Sequence, residues 1–162
     1  AKATTNGVIP MGVVAIRDGI YDAVVNSSPE GAIELFHGYT YSGIPAAVAA
    51  ALAVQDIFEK ENIFNRVKEI IPYFQEALHS LKDLECVENI RGYGLLGGVD
   101  IRKKDKPGKA GFQVYKACYE NGVNFKATGD ALVLAPPFIS EKKHIDEMFD
   151  KIRKGINQYM KY

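Results

Sequence analysis

Between residues 62 and 81 the apolar side chains Ile63, Val67, Ile70, Ile71, Phe74, Ala77, Leu78 and Leu81 recur at steps of three and four. That period puts them on one face of a helix. A one-sided helix gains most of its stability from burying that face, so the chain must supply a layer to receive it. Asn62 is placed to cap the helix, and Pro72 predicts a kink inside it. The residues that follow supply the layer. Residues 87–90 and 95–101 read as strands about a glycine-rich turn. Residues 112–120 read as a helix stopped by Asn121-Gly122. Residues 123–125 and 131–134 read as short strands around Thr128-Gly129-Asp130. Ser140 is expected to cap a last helix that aligns Ile145, Met148, Phe149, Ile152 and Ile156. The order strand, strand, helix, strand, strand, helix predicts a compact α+β unit from about residue 85.

The texture ahead of that helix is different. Residues 8–16, V-I-P-M-G-V-V-A-I, are β-branched with Pro and Gly inside, and predict extended segments with a turn at residues 10–12. Residues 20–25 predict a short helix, and N-S-S-P-E-G at 26–31 a loop. After a polar and aromatic stretch at 34–43, Pro45 starts a helix, where its missing N–H costs nothing. Residues 46–53 are small and apolar all round, which predicts burial on several sides. Residues 102–109 form a charged loop. The expected fold class is α/β, divided into residues 1–82 and 83–162.

Charge and length then remove whole classes of function. The 20 basic and 20 acidic side chains cancel, so no net field draws the chain to nucleic acid or an anionic membrane. The longest apolar run ends at Gln55-Asp56 and falls short of the roughly 20 residues of a spanning helix. No basic region followed by an apolar block opens the chain, so no secretory signal is expected there. Cys86 and Cys118 have no CxxC spacing and read as reduced thiols, which predicts a cytoplasmic home. His37, His79 and His144 lack metal-ligand spacing, and no metal site is expected.

Two stretches carry chemistry. In A-K-A-T-T-N-G, Lys2 has small, close-packing neighbours, and a desolvated amine is what carbonyl chemistry needs; a solvated terminal charge is the bland alternative. In F-H-G-Y-T-Y-S-G-I-P, at 36–45, hydroxyls and glycines precede a helix N-terminus, where backbone N–H groups favour an anion such as phosphate; an ordinary cap is the alternative. His37 reads as a packed, hydrogen-bonded side chain, and His79 and His144 as solvated. G-L-L-G-G at 94–98 is no dinucleotide fingerprint and reads as a strand whose backbone packs closely.

Taken together, four stretches resemble one family. K-A-T-T-N-G-V-I-P-M-G is similar to the lysine segment of the class III aminotransferases, fold type I enzymes that depend on pyridoxal 5'-phosphate. E-L-F-H-G-Y-T-Y-S-G-I-P-A-A resembles their phosphate-contacting segment, with Ile44 where a histidine is common. R-G-Y-G-L-L-G-G-V-D-I and K-A-T-G-D-A-L-V-L-A-P-P-F-I resemble two segments of their C-terminal domain. The similarity spans essentially the whole chain, in the family's order, and is nearest to the omega-amino acid–pyruvate and beta-alanine–pyruvate branch.

The resemblance implies roles. Lys2 matches the catalytic lysine that carries the cofactor and then acts as base for the 1,3-proton shift. Thr40 matches the hydroxyl that reaches the cofactor phosphate of the other subunit of a homodimer. Lys126 matches the position where many relatives hold the substrate carboxylate with an arginine. The implied partners are a small-molecule amine donor and a keto-acid acceptor. Family members run well over two hundred residues before the lysine, so the resemblance implies the C-terminal part of such an enzyme: a remnant of the large domain, then the small α+β domain. The opening at Ala1 without Met predicts a chain that was cut. The alternatives are a non-catalytic folded fragment and a parent that is a related mutase or racemase. Residues 1 to about 30 are expected to be poorly ordered or repacked, because strands of the large-domain sheet would lack their neighbours.

Overall fold

The computed structural model describes residues 2–32, 35, 37–102 and 106–161. Ala1, Glu34 and Phe36 of the aromatic stretch, and residues 103–105 of the charged loop lie outside the described residues. The chain divides into two compact units, Ala1–Glu61 and Asn62–Tyr162. The helix that follows Asn62 therefore packs with the second unit, ahead of the 82/83 division read from the sequence.

The first unit opens with a knot of turns. Asn6 and Gly7 both take positive φ, 50° and 77°, and the Val8 N–H donates to the Thr5 carbonyl at 3.1 Å. Two successive positive φ values define a type I′ turn, and Asn-Gly is the pair that tolerates it best. Residues 11–17 adopt no regular structure, although the β-branched run predicts extended segments. Helix α1 (Asp18–Asn26) follows, and then the predicted loop, with Gly31 at φ 77°. Helix α2 (Pro45–Lys60) begins at the expected proline. Its predicted burial is corrected: Ala47 is its sole buried residue, and Leu52 is 64% exposed. Burial requires a facing layer, and a run of alanines cannot create one.

The second unit is the α+β layer that the sequence predicts. Helix α3 (Ile63–His79) runs unbroken through Pro72 into a 3₁₀ turn at Ser80–Asp83. Strands β1 (Val87–Tyr93) and β2 (Leu96–Ile101) pair antiparallel. Helix α4 (Ala110–Glu120) precedes strands β3 (Lys126–Thr128) and β4 (Ala131–Leu134), and helix α5 (Lys142–Lys161) closes the chain. The sheet order is β1-β2-β4-β3. The third strand was expected at 123–125; Val123 and Phe125 instead pack against the core, and pairing starts at Lys126.

The predicted helix face is the one that is buried. Phe74, Leu78 and Leu81 are fully buried with Val99, Ile101, Leu132, Leu134, Ile152 and Ile156 in one core. Gly97 lies where α3 crosses β2: a Cβ there would sit 2.8 Å from both methyl carbons of Leu78, so the close backbone packing expected of the glycine-rich strand is present. Strand alternation leaves the other sheet face to polar groups. Cross-strand register sets Arg91, Gly98, Val133 and Lys126 in one row and Asn89, Asp100, Ala131 and Thr128 in the next.

Two predicted caps work differently. Asn62 holds the N-cap of α3, but its side chain accepts from the Asn65 amide at 2.7 Å and caps no backbone N–H. Ser140 is buried one residue too early to cap α5. The Glu141 carbonyl accepts the first N–H groups, from His144 and Ile145, while His144 Nδ1 accepts the Glu141 N–H at 3.0 Å. The bond back to Glu141 is the return half of a capping box, in which the side chain three residues in accepts the N-cap N–H, with histidine in place of the usual Glu.

Candidate active site

Lys2 stands at the first of the turns. Its carbonyl accepts the Gly7 N–H at 2.9 Å, which anchors the backbone while the side chain stays exposed. Beneath it Thr5 is buried, and its hydroxyl donates to the Ile9 carbonyl at 2.6 Å. Small residues are needed at this point because the chain doubles back within six residues. The result is an open cavity of about 580 Å³, lined by Lys2, Thr5, Gly7, Ile9, Pro10 and Met11 among others. A primary amine on the rim of a mixed polar and apolar hollow fits an aldehyde-bearing aromatic cofactor. Lys2 and its turn would hold that group.

Thr40 lies in a second tight turn. The Ser42 N–H donates to the Tyr39 carbonyl at 2.9 Å, and the Tyr39 N–H donates to Ser42 Oγ at 3.0 Å. Gly43, at φ 70°, then lets the chain enter α2, whose N-cap Ile44 offers no side-chain cap. Thr40 is exposed just ahead of that helix end. A hydroxyl beside uncapped helical N–H groups fits a phosphate. His37 is exposed and edge-on to Tyr39, with ring centroids 5.4 Å apart, so the expected packed histidine is corrected. His79 and His144 are exposed, as expected.

Lys126 belongs to the second unit. It opens the edge strand β3, pairs with Val133, and points to the polar face of the sheet, where it is exposed. At the far end of the same row Arg91 bonds Asp100 at 2.5 Å. That bond, together with a hydrogen bond from Asn89, holds the Asp100 carboxyl below its ordinary range against a smaller effect of burial.

One residue of this region goes unrecognised in the sequence beyond its turn chemistry. The Asp130 carboxylate accepts the Gly108 N–H at 2.9 Å and the Ala110 N–H at 3.0 Å. The N-cap of α4 is Lys109, which makes no side-chain cap of its own. The cap therefore comes from a residue 20 positions away. The available signal was an aspartate at a tight turn together with a helix that starts on the wrong residue type. No group of three or more His, Cys, Asp or Glu side chains suited to a metal occurs among the described residues.

Known proteins resemble the chain throughout. The family described as aminotransferase class-III matches residues 1–156. An omega-aminotransferase of Caulobacter vibrioides is 39% identical over 98% of this chain and 36% of its own length. An omega-amino acid–pyruvate aminotransferase of Pseudomonas putida is 39% identical over 99% of the chain and 36% of its length. Among solved structures, the adenosylmethionine-8-amino-7-oxononanoate aminotransferase of Methanocaldococcus jannaschii superposes with a TM-score of 0.87 at 32% identity, over 96% of this chain and 37% of that one. The chain thus spans about a third of the length of the curated relatives it matches.

Proposed function

Since this chain belongs to the class-III aminotransferases, we propose that it forms the lysine-bearing part of a pyridoxal 5'-phosphate-dependent transaminase. The whole enzyme moves an amino group from an omega-amino acid or amine to pyruvate or a related keto acid. The observation that supports this reading best is the Asn6-Gly7 turn, which folds the chain back beside Lys2 and helps form the hollow that Lys2 lines. When bound, the cofactor supplies an electron sink for the carbon that loses its proton. The chain's own residues do the rest. The Lys2 amine would hold the cofactor through its aldehyde and, once free, would serve as the base that moves a proton between two carbons. The Thr40 hydroxyl would donate to the cofactor phosphate. The Lys126 ammonium orients a substrate carboxylate as a point charge.

The enzyme acts as a homodimer in this reading, with Thr40 serving the partner's cofactor, and a cytoplasmic home suits two buried, reduced thiols. Mass measurement of the intact enzyme in solution and cell fractionation test these two statements. The activity is tested spectroscopically on the cofactor-loaded intact enzyme. Adding an omega-amine donor without acceptor should convert the visible absorbance of the lysine-bound cofactor stoichiometrically to that of its amine form, and Lys2→Ala should abolish the conversion. Racemisation without accumulation of the amine form would replace the transaminase reading.

A further inference from the structure

The position of Lys126 is set from both ends of a short strand. On its N-terminal side Phe125 packs against the core and the Tyr115 ring of α4. Strand β3 itself has three residues, lies at the sheet edge, and pairs with β4 alone. Such a strand is held at its other end by its turn into β4, and a loosened turn lets that end fray. Gly129, at φ 59°, makes the turn, and Asp130, next to it, ties it down in two directions. The Asp130 carbonyl accepts the Ile101 N–H at 2.9 Å, at the end of β2. The Asp130 carboxylate grips the Gly108 and Ala110 N–H groups at the start of α4. Gly111 closes the join: a Cβ there would meet the Gly129 carbonyl at 2.6 Å. A carboxylate at a helix N-terminus is favoured by the helix dipole as well as by the hydrogen bonds.

We propose that Asp130 is a positioning residue for substrate recognition: by capping α4 from the β3–β4 turn it fixes the edge strand that presents Lys126. The inference rests on the reading of Lys126 as the carboxylate contact. It adds to that reading a residue that touches no substrate yet governs discrimination between donors with and without a carboxylate.

The test compares kcat/KM for a carboxylate-bearing and a carboxylate-free donor in the cofactor-loaded intact enzyme. Asp130→Ala should lower the ratio of the two about tenfold, chiefly through KM, as for a displaced contact group. Asp130→Asn keeps an oxygen at the Oδ1 position, where both N–H groups are accepted, but puts an NH2 where Oδ2 faces the Gly108 N–H, and should restore part of the ratio. In a Lys126→Ala background, Asp130→Ala should change the ratio no further. Equal losses on both donors, or the same drop without Lys126, would overturn the proposal while leaving the transaminase reading intact. Hydrogen exchange separates the two readings. If Lys126→Ala leaves the ratio unchanged, the carboxylate assignment fails, and Asp130→Ala must still accelerate exchange at the β3–β4 pairs for the tether to stand. If that exchange is unaltered, the tether itself is wrong.

Discussion

At residue scale, local environment decides which groups react. Burial pushes the Cys118 thiol from an ordinary 9.0 up to about 12. Native protein should therefore leave Cys118 unmodified by an aromatic disulfide reagent at pH 8 and release its thiol only in denaturant, as a thiol titration before and after unfolding would show. Because the folded value is raised, stability should fall as pH climbs from about 9 towards about 12, where the unfolded chain ionises first. Asp100 behaves in the opposite sense: its carboxyl is held low by Arg91, so the pair's contribution is present above the ordinary carboxylate range and lost on acidification. That pair is partly exposed, and Asp100→Asn should cost under about 1 kcal/mol in a urea titration at neutral pH. Lys126 offers one charge on a flexible stem where an arginine would offer a planar fork. Lys126→Arg should raise kcat/KM for carboxylate-bearing substrates over carboxylate-free amines by about 1.5–3 kcal/mol, the range of one hydrogen bond to a charged group. An unchanged ratio would remove Lys126 from the carboxylate site.

At element scale, helix α3 and strand β2 depend on one another. Leu78 is fully buried and lies directly on Gly97. Leu78→Ala should cost about 2–5 kcal/mol through lost burial and a residual cavity. Gly97→Val forces the two elements apart and should cost about 1–3 kcal/mol by overpacking. The two substitutions share one site, so urea unfolding of the double variant should show less than the sum of the single losses. Additive losses would mean that the two positions do not share a contact. Tyr73 and Asp146 add a hydrogen bond between α3 and α5, and Lys142 lies 5.0 Å from the Tyr73 ring centroid.

At the scale of the whole molecule, apolar burial is concentrated in one unit. Its core draws on α3, α4, α5, β2 and β4, with Val87 and Ile90 of β1 packed against it. In the first unit Val8, Val13, Val14 and Leu52 are exposed, and α1 buries nothing. Hydrogen exchange on the 162-residue chain should find its slowest amides in β2, α3 and α5, and fast exchange across residues 8–16. Residues 62–162 expressed alone should unfold cooperatively in urea with a transition close to that of the full chain. Strong protection of residues 8–16, or a second unit that fails to fold, would contradict this division of stability.

Some of this was written in the residues themselves. Side chains spaced by three and four report the helical period directly, so the buried face of α3 and that of α5 were legible in Ile70, Phe74, Leu78, Ile152 and Ile156. Pro45 and Asn121-Gly122 act through their own backbone restrictions and needed no context. The lysine and threonine segments were legible as contiguous motifs of the family that matches residues 1–156. Contacts between distant residues were not. The start of β3 at Lys126, the capping of α4 by Asp130, and the replacement of Ser140 by Glu141 and His144 at α5 each depend on which backbone groups folding leaves unpaired. Nor could an apolar stretch announce its own burial: α2 has the composition of a core helix and is largely exposed, because a hydrophobic surface is buried only where another element arrives to cover it.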